Sequence, residues 1–374
     1  LLVACKAEPT RDDAESPSDS SMSDPTGPTR DTAPQIHNSG QTGDTASTVP
    51  MTASPACTNG AITPISGTYT LDDQGVTRTY QLFVPSSLRN DSPAPLVAVF
   101  HGWGGDENEF LGASVVRAEA EARGYVLVAP RGLGSGQPDQ SFNSWSFSGS
   151  TTGLTPSGGP ICDASATPNY SYPSCRQGNP PIAENTCSWT QCQVDDVAFA
   201  LALVEHVGNE VCVDTGRVFA TGGSNGGMFT WELGQRTVDA PVFAAIAPVI
   251  GLPHDGYLDA NPDLPVLLMT GTRDRTVPAG AWEDPAPTTT SDGDAFYYTG
   301  ATAITRSWAS ARGCDVTVDA APFDDGESLT DCRSYCPADA GWPAVLDCRV
   351  DMGHTYGLSW SWKLTLDFFD AQSE

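Results

Sequence analysis

The stretch that decides the fold is Thr-Gly-Gly-Ser-Asn-Gly-Gly at residues 221–227, which directly follows the short apolar run 217–220. Its serine, Ser224, has a glycine two residues before it and another two residues after it, in the pattern GxSxG. This pattern is typical of a nucleophile elbow, where the chain turns sharply from a strand into a helix and exposes the serine oxygen. Because so short a motif also occurs by chance, its weight depends on the sequence around it.

Acidic residues dominate the charge of the 374-residue chain. Asp and Glu number 46 against 18 Lys and Arg, which gives a formal net charge of −28 at pH 7. The chain has two lysines, Lys6 and Lys363. Such a surface repels polyanions, so nucleic acid is not expected as a partner. We interpret the acidity as a source of solubility rather than as a recognition surface.

The beginning of the sequence indicates export. Leu-Leu-Val-Ala-Cys at residues 1–5 resembles the end of a bacterial lipobox, in which the chain is cut before a cysteine that then carries a lipid. The alternative is a chance apolar tetrapeptide. Residues 6–55 are rich in Ser, Thr, Pro and Asp without apolar periodicity, which predicts a disordered tether. We expect a monomeric domain at 56–374, secreted or held on the cell envelope, with Cys5 as its one membrane contact.

The chain has eleven cysteines. Setting Cys5 aside leaves an even number, which predicts disulfides in an exported protein. The alternative is a metal site, but no histidine lies near the closest cysteine pairs and their spacing does not match zinc sites, so no metal is expected. Clustering predicts pairs within 162–192 and within 314–348, and it leaves Cys57 for Cys212, although the exact connectivity stays open.

Beyond Cys57, short apolar runs alternate with helical patterns. This alternation predicts an α/β fold with a mostly parallel central sheet, helices on both faces and disulfide-rich loops. Strands are predicted at 78–84, 96–100, 125–129, 217–220, 242–247, 265–270 and 344–350. One predicted helix has Leu111, Val115, Ala118 and Ala122 on one face, and another begins near Asp195 and Asp196. The end of the chain from Leu358 fits either a strand or a helix, and we favour the helix.

A serine hydroxyl is a poor nucleophile at neutral pH unless a histidine takes its proton and a carboxylate orients that histidine. The best placed histidine is His354, in a loop after the last predicted strand, because the order in α/β-hydrolases is serine, acid, histidine. The other four histidines lie in the expected tether, late in a helix or before the places where a base is expected: His37, His206, His101 and His254.

The acid should lie between Ser224 and His354, just past the end of an apolar strand. Asp274 fits, because it follows the strand predicted at 265–270. Asp255 and Asp263 are the alternatives, but the first lies in a loop-like setting and the second precedes its strand.

Two backbone donors are needed for the oxyanion that develops during acyl transfer. The elbow itself supplies the amide of Asn225. The second donor is expected from His-Gly-Trp-Gly-Gly at residues 101–105, directly after the strand at 96–100, and there we select the amide of Trp103.

Together these motifs resemble the polyhydroxybutyrate depolymerase and feruloyl esterase family of secreted α/β-hydrolases. The resemblance covers about residues 67–369 and rests on Val-Phe-His-Gly-Trp at 99–103, on residues 221–228, on Gly-x-x-Asp-x-x-Val-Pro at 271–278 and on Gly-His at 353–354. It implies that Ser224 is the nucleophile, His354 the base and Asp274 its orienting acid, that Trp103 and Asn225 form the oxyanion hole, and that no cofactor takes part.

The resemblance also implies the substrate class: esters of hydroxyalkanoate polymers, hydroxycinnamate esters of plant cell walls, or acetylated xylan. Trp145 resembles the family's tryptophan near the acyl pocket, and Trp282 and His101 are further predicted substrate contacts. An aromatic wall would also suit an aromatic polyester. The Cys-rich segment 149–192 has no counterpart in the family pattern. The alternatives are a non-catalytic surface binding protein on the same fold and, less favoured, a serine peptidase.

Overall fold

The computed structural model describes residues 53–58, 64–89, 92–135, 142–170, 172–176, 186–338 and 341–373. These residues belong to one of the two compact units into which the chain divides. The predicted lipobox and nearly all of the predicted tether lie outside them. The description begins within the last residues of that predicted tether, where the Ser54 side chain is buried and its hydroxyl donates to the Val211 carbonyl at 3.0 Å.

The described residues form twelve strands and six α-helices, with short 3-10 turns at Pro55–Cys57 and Pro173–Arg176. The strands are β1 (Gly67–Asp73), β2 (Val76–Phe83), β3 (Ala94–Phe100), β4 (Val126–Pro130), β5 (Val213–Gly223), β6 (Ala245–Val249), β7 (Val266–Gly271), β8 (Thr288–Thr289), β9 (Tyr297–Tyr298), β10 (Ala321–Phe323), β11 (Thr330–Ser334) and β12 (Val345–Val350). The helices are α1 (Asn108–Leu111), α2 (Ser114–Arg123), α3 (Asp196–Glu210), α4 (Asn225–Arg236), α5 (Ala301–Ala311) and α6 (Leu358–Ala371).

Ten strands form one sheet in the order β1-β2-β4-β3-β5-β6-β7-β12-β11-β10, and β8 pairs with β9 in a separate ribbon. The six strands from β4 to β12 in that order run parallel. Two antiparallel strands extend the sheet at each end. Since the carboxyl ends of parallel strands lie at one edge of a sheet, the loops after β3, β5, β7 and β12 meet at that edge.

Helices cover both faces of the sheet, and the alternation of side chains in β3 shows how. Leu96, Ala98 and Phe100 pack into a core with buried residues of α3, α4 and α5. Val97 and Val99 point the other way and pack with buried residues of α1, α2 and α6. All of β3 is therefore buried, as is usual for a parallel strand between two helical layers. The predicted α/β architecture is confirmed.

Most predicted elements are confirmed, including the helix at the end of the chain, which is α6. Near Asp195 the helix also begins as predicted, because the Asp195 side chain accepts from the amides of Val197 and Ala198 and caps the first turn. The predicted face of the earlier helix is wrong. The chain breaks into α1 and α2, so α2 starts in a new phase and buries Val116 and Ala120.

Five disulfides join the ten cysteines after Cys5: Cys57–Cys212, Cys162–Cys187, Cys175–Cys192, Cys314–Cys336 and Cys332–Cys348. The predicted groupings are confirmed. Within the described residues, the one group with a metal-like arrangement consists of Asp325, Cys332 and Cys348. Its two cysteines are bonded to each other, so neither offers the thiolate that a metal would need. Among the described helices, none has the length and apolarity needed to span a membrane.

Candidate active site

Ser224 lies at the sharp turn between β5 and α4. Its backbone has φ 55° and ψ −118°, a conformation that residues other than glycine rarely adopt. The Ser224 amide donates to the Val249 carbonyl of the neighbouring strand β6 at 2.9 Å. The Ser224 carbonyl accepts from the Met228 amide in the first turn of the helix, also at 2.9 Å. The sheet and the helix together hold the strained turn, as the GxSxG pattern predicted.

Two glycines flank Ser224 because the backbone passes too close for side chains. A Cβ on Gly222 would lie 2.6 Å from the backbone of Gly226. A Cβ on Gly226 would lie 2.1 Å from the carbonyl oxygen of Phe100 in β3. Glycine at these positions lets the start of α4 pack directly against β3, which fixes the serine at the edge of the sheet.

Ser224, His354 and Asp274 form one hydrogen-bonded chain. His354 Nε2 lies 2.9 Å from Ser224 Oγ, and His354 Nδ1 lies 2.6 Å from Asp274 Oδ2. The three residues follow β5, β12 and β7, which are strands of the same parallel set. The structure therefore brings together the three residues that the chain order selected.

The Asp274 carboxylate is fixed in place by its own loop. Its side chain has no solvent exposure, and its Oδ1 accepts from the amides of Thr276 and Val277 at 2.9 Å each. The other oxygen, Oδ2, faces His354. Because a carboxylate can only accept, Nδ1 of His354 carries a proton and Nε2 is left to accept the proton of Ser224. This tautomer is the one in which a histidine can act as a base toward a serine.

The predicted oxyanion donors also lie in this region of the protein. Among the described residues, the amides of Trp103 and Asn225 donate to no protein acceptor. The Asn225 side chain is fully buried, with its Oδ1 accepting from the Trp145 amide at 2.8 Å and its Nδ2 donating to the Trp145 carbonyl at 3.0 Å. This pair of bonds fixes the start of α4 to the loop after β4.

The loop of residues 101–105, here called the oxyanion loop, is held by Asn143 and by Tyr172 of the Cys-rich segment. The Gly104 amide donates to the Asn143 carbonyl at 2.8 Å, and Asn143 Nδ2 donates to the Gly105 carbonyl at 2.7 Å. Trp103 Nε1 donates to the Tyr172 hydroxyl at 2.8 Å. Through Tyr172, the Cys-rich segment thus supports the position of the predicted oxyanion donor, Trp103.

The prediction that His101 contacts substrate needs correction. His101 is buried, its Nδ1 donates to the Gly102 carbonyl at 2.6 Å and its Nε2 accepts from the Gly132 amide at 2.8 Å. Burial lowers the pKa of His101 to about 4, so the ring is neutral near pH 7. With both nitrogens engaged, His101 joins the oxyanion loop to the loop after β4.

Of the two predicted tryptophan contacts, the one at Trp145 is contradicted by its burial, and the one at Trp282 stays a prediction. Trp145 has no solvent exposure, and its ring packs against Phe100 and Phe229 with ring centroids 5.2 and 5.3 Å apart. It is a core residue, and a substrate cannot reach it. Trp282 lies between two guanidinium groups, with Arg349 at 3.7 Å and Arg333 at 4.3 Å from the ring centroid. The contact at Trp145 was predicted from its position in the sequence, which does not report burial.

Of the other histidines, those within the described residues do not join the site. His254 is fully buried and accepts from Trp189 Nε1 at 2.9 Å, and burial lowers its pKa to about 3. His206 belongs to α3, and its Nε2 lies 3.1 Å from the Tyr80 hydroxyl. His37 lies outside the described residues.

Two residues near the site went unnoticed in the sequence. Tyr356 follows His354 by two positions, and its hydroxyl donates to the partly buried carboxylate of Glu109. The motif around His354 could have pointed to Tyr356 as a neighbour. Glu109 gives no such signal, because it is one acidic residue among many in an acidic chain.

The elbow, the order of the parallel strands and the loops at their carboxyl ends define the α/β-hydrolase fold. No family model matches the chain. The protein named "Putative esterase NocK" of Nocardia uniformis subsp. tsuyamanensis is 29% identical over 203 residues, which are 54% of this chain and 46% of that protein.

A second relative is the bifunctional acetylxylan esterase/xylanase XynS20E of Neocallimastix patriciarum, 24% identical over 202 residues, which are 54% of this chain and 22% of that protein. The chain therefore spans less than half the length of either relative. Among solved structures, the acetyl xylan esterase from Aspergillus awamori is 16% identical, with a TM-score of 0.46 and coverage of 81% of this chain and 99% of that one.

Proposed function

We propose that this protein is a serine carboxylic-ester hydrolase. The observation that carries the proposal is the hydrogen-bonded chain from Ser224 through His354 to Asp274 at the turn between β5 and α4. A serine paired in this way with a neutral, oriented histidine is activated for attack on a carbonyl carbon. The relatives whose names contain esterase support the same reaction class.

In the proposed first half-reaction, Ser224 Oγ attacks the ester carbonyl carbon while its proton passes to His354 Nε2. Asp274 stabilises the imidazolium that forms. The tetrahedral oxyanion accepts hydrogen bonds from the amides of Trp103 and Asn225, which find no protein acceptor within the described part of the chain. The bond to the alcohol oxygen then breaks, His354 returns the proton to that oxygen, and an acyl group stays on Ser224.

Water completes the cycle. His354 takes a proton from a water molecule as its oxygen attacks the acyl carbon, and a second oxyanion forms in the same hole. Collapse of this intermediate breaks the bond to Ser224 Oγ, which regains its proton from His354. The products are a carboxylic acid and the free enzyme, so the proposed cycle balances without a cofactor or a metal.

We further propose that the substrate is polymeric or attached to a polymer: polyhydroxybutyrate-type esters, feruloyl or acetyl esters of plant cell walls, or an aromatic polyester. The motif resemblance supports this class, as does the acetylxylan esterase name of one relative. The five disulfides favour action outside the cell, where thiols are oxidised. Anchoring through Cys5 and a monomeric state belong to the same proposal.

The test of the reaction is release of p-nitrophenol from short-chain acyl esters by the wild type, by Ser224→Ala and by Ser307→Ala. Ser307 is a matched control, because its hydroxyl lies on α5 and donates to the Leu258 carbonyl at 2.6 Å, outside the site. We expect Ser224→Ala to lose activity by at least about a thousand-fold, and Ser307→Ala to keep it. Activity that persists in Ser224→Ala would rule out this nucleophile.

The substrate is then addressed with a panel of polyhydroxybutyrate, methyl ferulate, acetylated xylan and an aromatic polyester, with release of acid or alcohol as the readout. Hydrolysis of one of these and not the others assigns the substrate class. A wild type without activity on p-nitrophenyl esters and on the whole panel would favour a non-catalytic binding protein on the same fold.

A further inference from the structure

A partly buried carboxylate lies behind the oxyanion loop. Glu109, on α1, accepts at Oε1 from the Tyr356 hydroxyl and, at 3.4 Å, from the Gly102 amide. Gly102 is the residue before the proposed oxyanion donor Trp103. The chemistry proposed above gives Glu109 no role, although it touches the loop on which that chemistry depends.

Tyr356 reaches two other parts of the site. It lies two residues after His354, so it belongs to the loop that carries the base. Its buried ring stacks on Phe110 with centroids 4.8 Å apart, and a Cβ on Gly223, the residue before Ser224, would lie 2.1 Å from that ring. The ring of Tyr356 thus rests on the elbow while its hydroxyl reaches Glu109.

The oxyanion loop is built around this pair. A Cβ on Gly102 would lie 2.3 Å from the Tyr356 hydroxyl, and a Cβ on Gly105 would lie 1.6 Å from Glu109 Oε2. A side chain at either position would displace the phenol or the carboxylate, so glycine lets the loop close over both in their present positions. The loop, the carboxylate and the phenol form one packed unit.

We propose that Glu109 is a positioning residue that, through Tyr356, sets the placement of the oxyanion loop relative to Ser224 and His354. This inference rests on the proposed function, because the placement matters for the transfer of an acyl group. The donor Trp103 and the base His354 follow different strands, β3 and β12, so a direct link between their loops removes a source of misalignment. A misplacement of about 1 Å in such a site costs on the order of a hundred-fold in rate.

The link works in both protonation states of Glu109. Burial raises the pKa of Glu109 to about 7, the bonds from Tyr356 and Gly102 act against that rise, and the negative charge of Asp106 adds to it. A protonated carboxyl still has a carbonyl oxygen that accepts from Tyr356. Glutamine retains the same acceptor, so Glu109→Gln should preserve the link, whereas Glu109→Ala removes it from one side and Tyr356→Phe from the other.

The test compares kcat and KM for p-nitrophenyl ester hydrolysis in these three variants. We expect Glu109→Ala and Tyr356→Phe to lower kcat about ten-fold with KM within about two-fold of wild type, and Glu109→Gln to stay within about three-fold. The double variant Glu109→Ala/Tyr356→Phe should be no slower than Glu109→Ala alone, because both substitutions remove the same interaction.

The matched control is Tyr125→Phe. Tyr125 is a buried tyrosine whose hydroxyl donates to Asp370 at 2.6 Å, a comparable pair outside the site. Loss of the Tyr125 hydroxyl should lower the melting temperature and leave kcat unchanged. The proposal is overturned if Glu109→Ala and Tyr356→Phe keep kcat within two-fold of wild type. It is also overturned if Tyr125→Phe lowers kcat as much as these two variants do.

Hydrogen–deuterium exchange separates this inference from the proposed reaction. In Glu109→Ala, peptides covering residues 100–105 and 351–357 should both exchange faster than in wild type, while Tyr125→Phe leaves both unchanged. Unchanged exchange in either peptide would overturn the link. A wild type that hydrolyses no ester would refute the proposed function, and the exchange result would still decide whether Glu109 joins the two loops.

Discussion

Ser224 is held in a backbone conformation that only glycine adopts freely. Strain of this kind typically costs about 1–3 kcal/mol, and it persists because the amide and carbonyl of Ser224 are both bonded. The chain thus loses stability at the very residue that is proposed to attack the substrate.

This strain can be measured with two inactive variants. The free energy of unfolding should be about 1 kcal/mol higher for Ser224→Gly than for Ser224→Ala, because glycine tolerates φ 55° and alanine does not. Ser224→Gly should therefore also unfold at a higher temperature. Thermal and urea denaturation of the two proteins give the difference. Equal stability of the glycine and alanine variants would mean that the turn is not strained.

Glu109 predicts a pH dependence of stability. Its pKa in the folded protein is about 7 against an ordinary value of 4.5, so the folded state binds this proton more tightly than the unfolded state. The contribution is fully present below about pH 4.5 and is lost as pH rises through about 7. The free energy of unfolding of wild type relative to Glu109→Gln should fall by up to roughly 3 kcal/mol between pH 5 and pH 8.

Urea denaturation of both proteins at several pH values provides that measurement. Groups other than Glu109 titrate in both proteins and cancel from the difference. A difference that stays constant from pH 5 to pH 8 would mean that Glu109 is already ionised throughout this range.

At the residue scale, chain order was sufficient to select Ser224, Asp274 and His354 as one constellation. Each follows an apolar run, and the fold places the ends of such runs together. The chain order did not predict which of the other candidate site residues are buried. The burial of Trp145 and His101 depends on which residues of other elements pack around them, and no local pattern records this.

At the scale of elements, the approach of α4 to β3 sets the position of the serine. The approach depends on Gly226, where a Cβ would lie 2.1 Å from a backbone oxygen that cannot move without displacing the strand. Helix α3 also contains a glycine, Gly208, but there a Cβ would make ordinary contacts at 3.6 and 3.7 Å.

The same substitution should therefore have opposite effects in the two helices. Gly208→Ala should raise the free energy of unfolding by about 0.5–1 kcal/mol, because alanine loses less backbone entropy in a helix. Gly226→Ala should lower it by several kcal/mol through the clash with Phe100. Urea denaturation of both variants checks the signs, and destabilisation by Gly208→Ala would show that its surroundings leave no space.

Most of the strands that the sequence predicted are buried, such as β3, β6 and β7, which are continuous apolar runs. Of the antiparallel strands at the ends, β2 was predicted at 78–84, and β1, β10 and β11 were missed. Strand β11 is Thr-Asp-Cys-Arg-Ser, and its pairing with β12 gives it an extended conformation that its composition does not favour. The misplaced face of the early helix has a related cause, since the break between α1 and α2 has no proline to mark it.

Across the whole molecule, the five disulfides differ in what they constrain. Cys57–Cys212 joins residues 155 positions apart and connects the beginning of the described chain to the start of β5. Cys175–Cys192 closes a segment of 17 positions beside Tyr172, which accepts from the Trp103 indole. The first restricts the unfolded chain as a whole, and the second supports the oxyanion loop.

Removing each of these two disulfides by paired Cys→Ser substitution should show that one mainly affects stability and the other also affects activity. By chain entropy, the loss of Cys57–Cys212 costs about 5 kcal/mol and the loss of Cys175–Cys192 about 3 kcal/mol. We expect the first variant to have the lower melting temperature and normal kcat where it is folded, and the second to have reduced kcat at temperatures where it is fully folded. A Cys175→Ser/Cys192→Ser protein with wild-type kcat would contradict this assignment.

Both disulfides of the Cys-rich segment, Cys162–Cys187 and Cys175–Cys192, join cysteines within that segment, whereas the residues proposed for proton transfer follow β5, β7 and β12. The molecule is therefore modular for protein engineering. A library confined to the Cys-rich segment, with Tyr172 retained, would vary the surroundings of the oxyanion loop while the reaction centre is inherited intact. Selection on insoluble polyester films could then search for new specificities in a part of the chain that is already cross-linked to itself.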